Sequence, residues 1–182
     1  MSDVRVLILP GRGNSGEQHW QSQWETANPS FRRVEQREWH NPHRDDWVQS
    51  LQAVISEDDS PVVLVAHSLG VSLVTQWASQ FTGPVKAALL VAPSDLEAPD
   101  YPTGTQGFTP IALTKLPFET VVVTSTDDPK VRLERAQQFA AAWGARLEVV
   151  GPYGHLGAAS GLGYWPFGAE LLNQLIDHAV TA

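Results

Sequence analysis

The chain has 182 residues, of which 42% are hydrophobic and 18% are charged, values typical of a soluble globular protein. This length is enough for one packed core and short for two, so we expect residues 1–182 to form a single domain. The formal net charge of -8 disfavours binding to nucleic acid or to anionic membrane surfaces. Since cysteine is absent, disulfides, thiolate metal sites and a cysteine nucleophile are excluded, and we expect the cytoplasm as compartment.

Short runs rich in β-branched residues alternate along the chain with stretches of helical periodicity. This alternation predicts an α/β fold in three layers, with about six mostly parallel strands between helices on both faces. The predicted strands are residues 4–9, 31–36, 62–66, 85–92, 120–125 and 146–150. The predicted helices cover residues 16–27, 44–57, 69–81, 133–143 and 167–179. The second strand carries enough charge to favour an edge of the sheet.

A strand-turn-helix segment carries the strongest chemical signal. The run Ala66-His67-Ser68-Leu69-Gly70 is a variant of the G-x-S-x-G nucleophile elbow with alanine in the first glycine position. The elbow needs small residues on both sides of its strained serine, and alanine and glycine both meet this need. The motif predicts Ser68 as a nucleophile. His67 is expected to pack or to bond a loop.

A serine nucleophile needs an imidazole base and a carboxylate that orients it, in the chain order Ser, Asp or Glu, His. Both partners follow later predicted strands, where they would reach the same edge of the sheet as Ser68. His155 is the predicted base and Asp128 the predicted acid, because Pro129 restricts the backbone of Asp128. Asp127 is expected to cap the turn, and Asp95 is the alternative acid.

The oxyanion hole should combine two backbone amides. In this fold one belongs to the residue after the nucleophile, Leu69, and the other to the loop after the first strand. Arg12 is the predicted second donor, with Gly13 the next candidate, because Gly11 permits the turn that aims the following N–H inward.

Four residues near these loops are candidates to line the substrate pocket: Gly13, His19, Trp20 and Trp165. For Trp20 a second interpretation stays open, because its helical spacing with Trp24 is equally typical of core packing. A loop rich in proline and glycine, residues 93–110, is expected to overhang the site.

These motifs resemble those of small serine hydrolases of the retinoblastoma-binding protein 9 type. The resemblance spans the chain and rests on Leu9-Pro10-Gly11, His19-Trp20, His67-Ser68, the run 125–129, and Gly154-His155. It implies a compact α/β-hydrolase without a large cap domain, without metal or organic cofactor, and with Ser68, Asp128 and His155 as its triad. Members often have glycine where this chain has Ala66.

The expected function is therefore hydrolysis of a small-molecule ester, thioester or amide through an acyl-enzyme. Two alternatives stay open. The glycines Gly11, Gly13 and Gly16 match G-x-G-x-x-G, with Glu35 about twenty residues later, as in a dinucleotide-binding protein. A hydrolase scaffold can also serve as a non-catalytic binding module.

Overall fold

One six-stranded sheet with helices on both faces organises the part of the chain that the computed structural model describes, residues 3–182. Its strands are β1 (Arg5–Leu9), β2 (Arg32–Arg33), β3 (Val62–His67), β4 (Val85–Val91), β5 (Glu119–Ser125) and β6 (Arg146–Val150). Its α-helices are α1 (Trp20–Ala27), α2 (Arg44–Ile55), α3 (Leu69–Ala78), α4 (Leu133–Trp143) and α5 (Pro166–Thr181). The predicted α/β-hydrolase-like fold is confirmed, and no large cap domain is inserted within residues 3–182.

All strand pairs are parallel, and the strand order is β2-β1-β3-β4-β5-β6. The short β2 occupies an edge, as its charge predicts, and pairs only with β1. After β1 the chain adds β2 on one side of it. The later strands, β3 to β6, are added in order on the other side. Loops after β1 and β3 therefore meet where the strand order reverses, which is the usual ligand position in open parallel sheets.

The core forms two apolar layers, one on each face of the sheet. Alternate residues of the central strands pack under α2, α3 and α4 on one face, and the remainder pack under α1 and α5 on the other. All six residues of β3 are buried, because this central strand is covered on both sides. The first layer holds Trp47, Trp77 and Trp143, and the second holds Trp20, Trp24 and Trp165.

Helix α1 begins at Trp20, four residues later than its apolar spacing predicts. The difference has a local cause, because the side chain of His19 accepts the backbone N–H of Gln21 and so caps the helix there. Gly144, in the left-handed region at φ 69°, ends α4 as predicted. Within residues 3–182, no helix combines the length and apolarity that a membrane crossing requires.

Candidate active site

Ser68 sits on a sharp turn between β3 and α3. Its φ of 58° and ψ of -121° lie outside the regions that non-glycine residues favour, at a cost of about 1–3 kcal/mol. The Ser68 N–H donates to the carbonyl of Val91 at 3.0 Å, which ties the strained turn to β4. The predicted elbow is therefore present, and it lifts the Ser68 hydroxyl above the carboxyl ends of the strands.

Two glycines allow the loop after β1 to pass close to this turn. A Cβ at Gly70 would collide with the carbonyl oxygen of Leu9, and one at Gly11 would lie 2.9 Å from the Cβ of Ser68. Neither gap can accommodate a side chain without moving backbone. Glycine is needed at both positions because the backbone from Leu9 to Gly11 lies against the turn at residues 67–70. The next residue, Arg12, lines the same cavity as Ser68.

Ser68, His155 and Asp128 come together from three separate loops. The Nε2 atom of His155 lies 2.8 Å from Oγ of Ser68, and its Nδ1 atom lies 2.9 Å from each carboxylate oxygen of Asp128. Since a carboxylate oxygen accepts, Nδ1 carries the proton and Nε2 is left to accept the Ser68 hydroxyl. The side chain of Asp128 is fully buried, which keeps water from competing for its oxygens.

Asp95, the alternative acid, has a different partner. Its carboxylate pairs with Arg135 at 3.2 Å, and it makes no hydrogen bond to His155. Asp127 accepts the N–H of Gly154 at 2.8 Å, so it braces the loop that carries His155. Asp95 and Asp127 therefore have structural partners other than the His155 ring, and Asp128 is the aspartate that bonds it.

The amides expected in the oxyanion hole differ in their contacts. Within residues 3–182 no acceptor is found for the N–H of Leu69 or of Arg12. Leu69 is the first residue of α3, where the N–H has no intrahelical partner. The N–H of Gly13 donates to the carbonyl of Trp39 at 2.8 Å, which removes it as the alternative donor.

A cavity of about 380 Å³ opens above Ser68. Its lining includes Arg12, His19, Ser94, Tyr101, Lys130 and His155, with glycines from the surrounding loops. Tyr101 and Pro102 belong to the loop 93–110, which overhangs the site as expected. Burial raises the pKa of the Tyr101 hydroxyl, so it stays protonated and can donate.

Three of the pocket expectations need correction. Trp20 and Trp165 do not line this cavity, because their rings pack together at 5.0 Å between centroids in the apolar layer under α1 and α5. Gly13 is exposed beside the cavity and is not part of its lining. His19 does line the cavity. The core interpretation of Trp20 and Trp24 is the correct one.

Ser94 is a further residue of the site that no sequence motif indicated. Its hydroxyl lies 2.9 Å from the Ser68 hydroxyl and is almost fully buried. The available signal was its position, because it follows β4 at the same sheet edge as the other site loops. Asp95 follows β4 in the same way, but its neighbour Ser94 makes the contact with Ser68.

Two further imidazoles are buried beside the site. His67 lies with its Nε2 atom 2.8 Å from the carbonyl oxygen of His155, in agreement with the expected loop contact. Burial, with lesser contributions from Arg33 and His155, lowers the pKa of His19 to about 4. Burial also lowers the pKa of His67 well below its ordinary value, helped by the neighbouring His19. Both rings are therefore neutral at pH 7.

The glycine-rich loop after β1 lacks the geometry of a dinucleotide site. In that site the third glycine makes a close helix contact, but a Cβ at Gly16 would meet nothing within 4 Å. Helix α1 begins only at Trp20, and Gly11 is engaged with Ser68. No group of three or more metal-ligating side chains occurs within residues 3–182.

Comparison with known proteins identifies the family of this chain. Residues 6–174 match the serine hydrolase family. The chain belongs to the serine hydrolase family. A protein described as a YdeN-like hydrolase, from Pectobacterium atrosepticum, is 30% identical with a TM-score of 0.86, over 97% of this chain and 92% of its own.

More distant structures share the fold of this serine hydrolase. The ydeN gene product of Bacillus subtilis is 18% identical, with a TM-score of 0.76 over 96% of this chain and 99% of its own. Thermogutta terrifontis esterase 2, solved as a cyclosarin adduct, is 15% identical, with a TM-score of 0.68 over 96% and 83% of the two chains. None of the curated protein sequences compared with this chain matches it.

Proposed function

We propose that this serine hydrolase cleaves a small-molecule ester, thioester or amide through an acyl-enzyme on Ser68. The observation that carries the proposal is the contact of His155 Nε2 with Ser68 Oγ at 2.8 Å, while Asp128 holds Nδ1 of the same ring. A bare serine is a weak nucleophile, and this arrangement activates it. The cavity of about 380 Å³ above Ser68 suits a small acyl substrate.

In the first half of the reaction, Ser68 Oγ bonds to the substrate carbonyl carbon while its proton passes to Nε2 of His155. The tetrahedral intermediate then collapses, and the same proton goes to the departing alcohol, thiol or amine. In the second half, His155 takes a proton from water as the water oxygen bonds to the acyl carbon. The bond from that carbon to Ser68 Oγ then breaks, the acid leaves, and the proton passes from His155 back to Ser68 Oγ. Asp128 stabilises the imidazolium present in both halves.

Negative charge on the carbonyl oxygen needs donors that are already in place. The N–H groups of Leu69 and Arg12 suit this role, because neither has an acceptor within residues 3–182 and Leu69 begins a helix whose dipole favours an anion. The close contact of Gly11 with the elbow supports Arg12 as the second donor. Such a donor contributes about 3 kcal/mol to transition-state stabilisation.

Within the family, we place the chain with hydrolases of the retinoblastoma-binding protein 9 type. The support is the set of sequence motifs that carry the resemblance, which includes the loop from Leu9 to Gly11, the pair His19-Trp20 and the run 125–129. We further propose that the protein works in the cytoplasm without a metal or organic cofactor and without nucleic-acid or membrane partners.

A series of acyl esters with graded chain length tests this function, with Ser68→Ala as the control. The expected result is hydrolysis of short acyl esters by the unaltered protein and none above background by the variant. Equal hydrolysis by both proteins would contradict the proposal. A non-catalytic binding module would bind esters without turnover, and a dinucleotide-binding protein would be stabilised against heat by NAD.

A further inference from the structure

The loop that carries His155, residues 151–157, is held by its backbone from the side of β5. The N–H of Gly154 donates to Asp127, and the carbonyl of Gly154 accepts the hydroxyl of Ser125. These contacts fix the residue just before His155. They follow from the neighbouring positions of β5 and β6 in the sheet.

The next two carbonyls of the loop are held from the opposite side. The carbonyl of His155 lies 2.8 Å from Nε2 of His67, and the carbonyl of Leu156 accepts the indole N–H of Trp20 at 2.8 Å. Trp20 is the first residue of α1 and His67 the last of β3. The backbone is therefore hydrogen-bonded on both sides of His155, to residues at the end of β5 on one side and to β3 and α1 on the other.

His67 is in turn joined to His19. Its Nδ1 atom lies 3.3 Å from Nε2 of His19, and Nδ1 of His19 accepts the N–H of Gln21 at 3.1 Å. Both residues are buried, with 5% of the surface of His19 and 6% of the surface of His67 exposed. A continuous chain of hydrogen bonds thus runs from the first turn of α1, through two imidazoles, to the backbone of His155.

The groups at the two ends of this hydrogen-bond network, the N–H of Gln21 and the carbonyl of His155, determine which nitrogen of each ring carries the proton. Since Gln21 donates to Nδ1 of His19, the proton of that neutral ring is on Nε2, from which it donates to Nδ1 of His67. The proton of His67 is then on Nε2 and donates to the carbonyl of His155. Every nitrogen of the two rings is satisfied only when both are neutral.

We propose that His19 and His67 are positioning residues that hold the imidazole of His155 between Ser68 and Asp128. The inference rests on the proposed serine hydrolase function. His67 acts through the carbonyl of His155, and His19 acts through His67 by fixing its tautomer. Neither ring is hydrogen-bonded to the Ser68 hydroxyl, whose partners are His155 and Ser94. A displacement of the base by about 1 Å is nevertheless enough to slow catalysis a hundredfold.

Four variants separate this role from packing. His67→Leu removes the donor to His155, whereas His67→Gln keeps an N–H₂ donor and an acceptor at similar reach. His19→Asn keeps an oxygen that can cap Gln21 but loses the donor to His67. His178→Asn, on the exposed face of α5, is the matched control for a histidine-to-asparagine change.

The readout is the second-order rate of covalent labelling by a fluorophosphonate, with unfolding temperature measured alongside. His67→Leu should slow labelling about 10- to 100-fold, His67→Gln should recover most of that loss, and His19→Asn should slow labelling about threefold to tenfold. His178→Asn should label at the unaltered rate. The labelling rate would not recover in His67→Gln if the His67 side chain served only to fill apolar space.

Amide hydrogen exchange in the loop 151–157 gives a second readout that does not depend on activity. His67→Leu should raise exchange there, and His67→Gln should restore protection. Labelling by His67→Leu or His19→Asn at the unaltered rate, or equally slow labelling by His67→Leu and His67→Gln, would overturn the positioning role. If the unaltered protein is not labelled at all, the proposed function fails. Amide hydrogen exchange in the loop 151–157 then decides by itself whether His67 holds this loop in place.

Discussion

Both carboxylate oxygens of Asp128 lie 2.9 Å from Nδ1 of His155. Replacing Asp128 with asparagine puts an amide N–H₂ where an acceptor is needed and favours the imidazole tautomer with its proton on Nε2. That tautomer cannot accept the Ser68 proton, so kcat for ester hydrolysis should fall by about 10⁴-fold. The measurement is steady-state kinetics of the variant beside the unaltered protein.

Asp95→Asn is the matched control for this change. Asp95 also follows a central strand, but its carboxylate pairs with Arg135 and makes no hydrogen bond to His155. Its replacement should leave kcat within about threefold, because the lost ion pair is partly exposed and worth little. If Asp95→Asn proved as damaging as Asp128→Asn, the assignment of the acid would be wrong.

Removal of the Ser94 hydroxyl should reduce turnover modestly. Ser94 lies 2.9 Å from Ser68, whose single hydroxyl proton points to His155, so Ser94 donates to Ser68 Oγ. Loss of this bond frees the Ser68 side chain to rotate, and a bond of about 1 kcal/mol corresponds to roughly a fivefold lower kcat. Steady-state kinetics of Ser94→Ala checks this, with Ser50→Ala on α2 as the control. An unchanged kcat for Ser94→Ala would show that Ser94 has no role in positioning Ser68.

The elbow should tolerate no side chain at residue 70. Gly70→Ala drives a methyl group against the carbonyl of Leu9, so the free energy of unfolding should drop by roughly 3 kcal/mol or more. Gly16→Ala is the control, because its Cβ would meet open space, and its effect should stay within about 0.5 kcal/mol. Chemical denaturation of both variants measures this, and equal stabilities would contradict the close approach of the two loops.

Stability should fall as the pH drops below 6.5. The pKa of His19 is lowered from 6.5 to about 4, so between these values the unfolded chain binds a proton that the folded chain does not. His19 therefore contributes stability above pH 6.5 that is lost as the pH approaches 4, about 3 kcal/mol in total. His67 acts with the same sign, because burial lowers its pKa too.

His19→Asn provides the comparison, since asparagine does not titrate. Free energies of unfolding measured from pH 7.5 to 4 should fall less steeply for this variant than for the unaltered protein. The difference reports the titration of His19 together with its effect on the neighbouring His67, because the titrating carboxylates are common to both chains. Parallel curves would show that His19 takes up its proton equally in the folded and unfolded states.

Much of the architecture could be predicted because it depends on local pattern. The continuous apolar run of β3 predicts a central strand, and the charge of Arg32 and Arg33 predicts an edge. Ser68 could be predicted from the small residues at 66 and 70, which the turn requires. His155 and Asp128 could be predicted because loops after parallel strands reach one sheet edge.

The remaining parts of the site depend on contacts between distant segments, which no local pattern records. Trp20 and Trp165 are 145 positions apart in the chain. They do not line the cavity because they pack together in the same apolar layer. Ser94 contacts Ser68 only because β3 and β4 are neighbours. The sequence pattern places the start of α1 too early because histidine, which caps this helix at residue 19, is not among the preferred helix-capping residues.

The identity of the nucleophile is tested most directly by mass spectrometry after reaction with a fluorophosphonate. We expect a single adduct on the peptide that contains Ser68, and none on the Ser68→Ala protein, which should keep the unaltered circular dichroism spectrum. An adduct on another residue, or undiminished labelling of the Ser68→Ala protein, would contradict it.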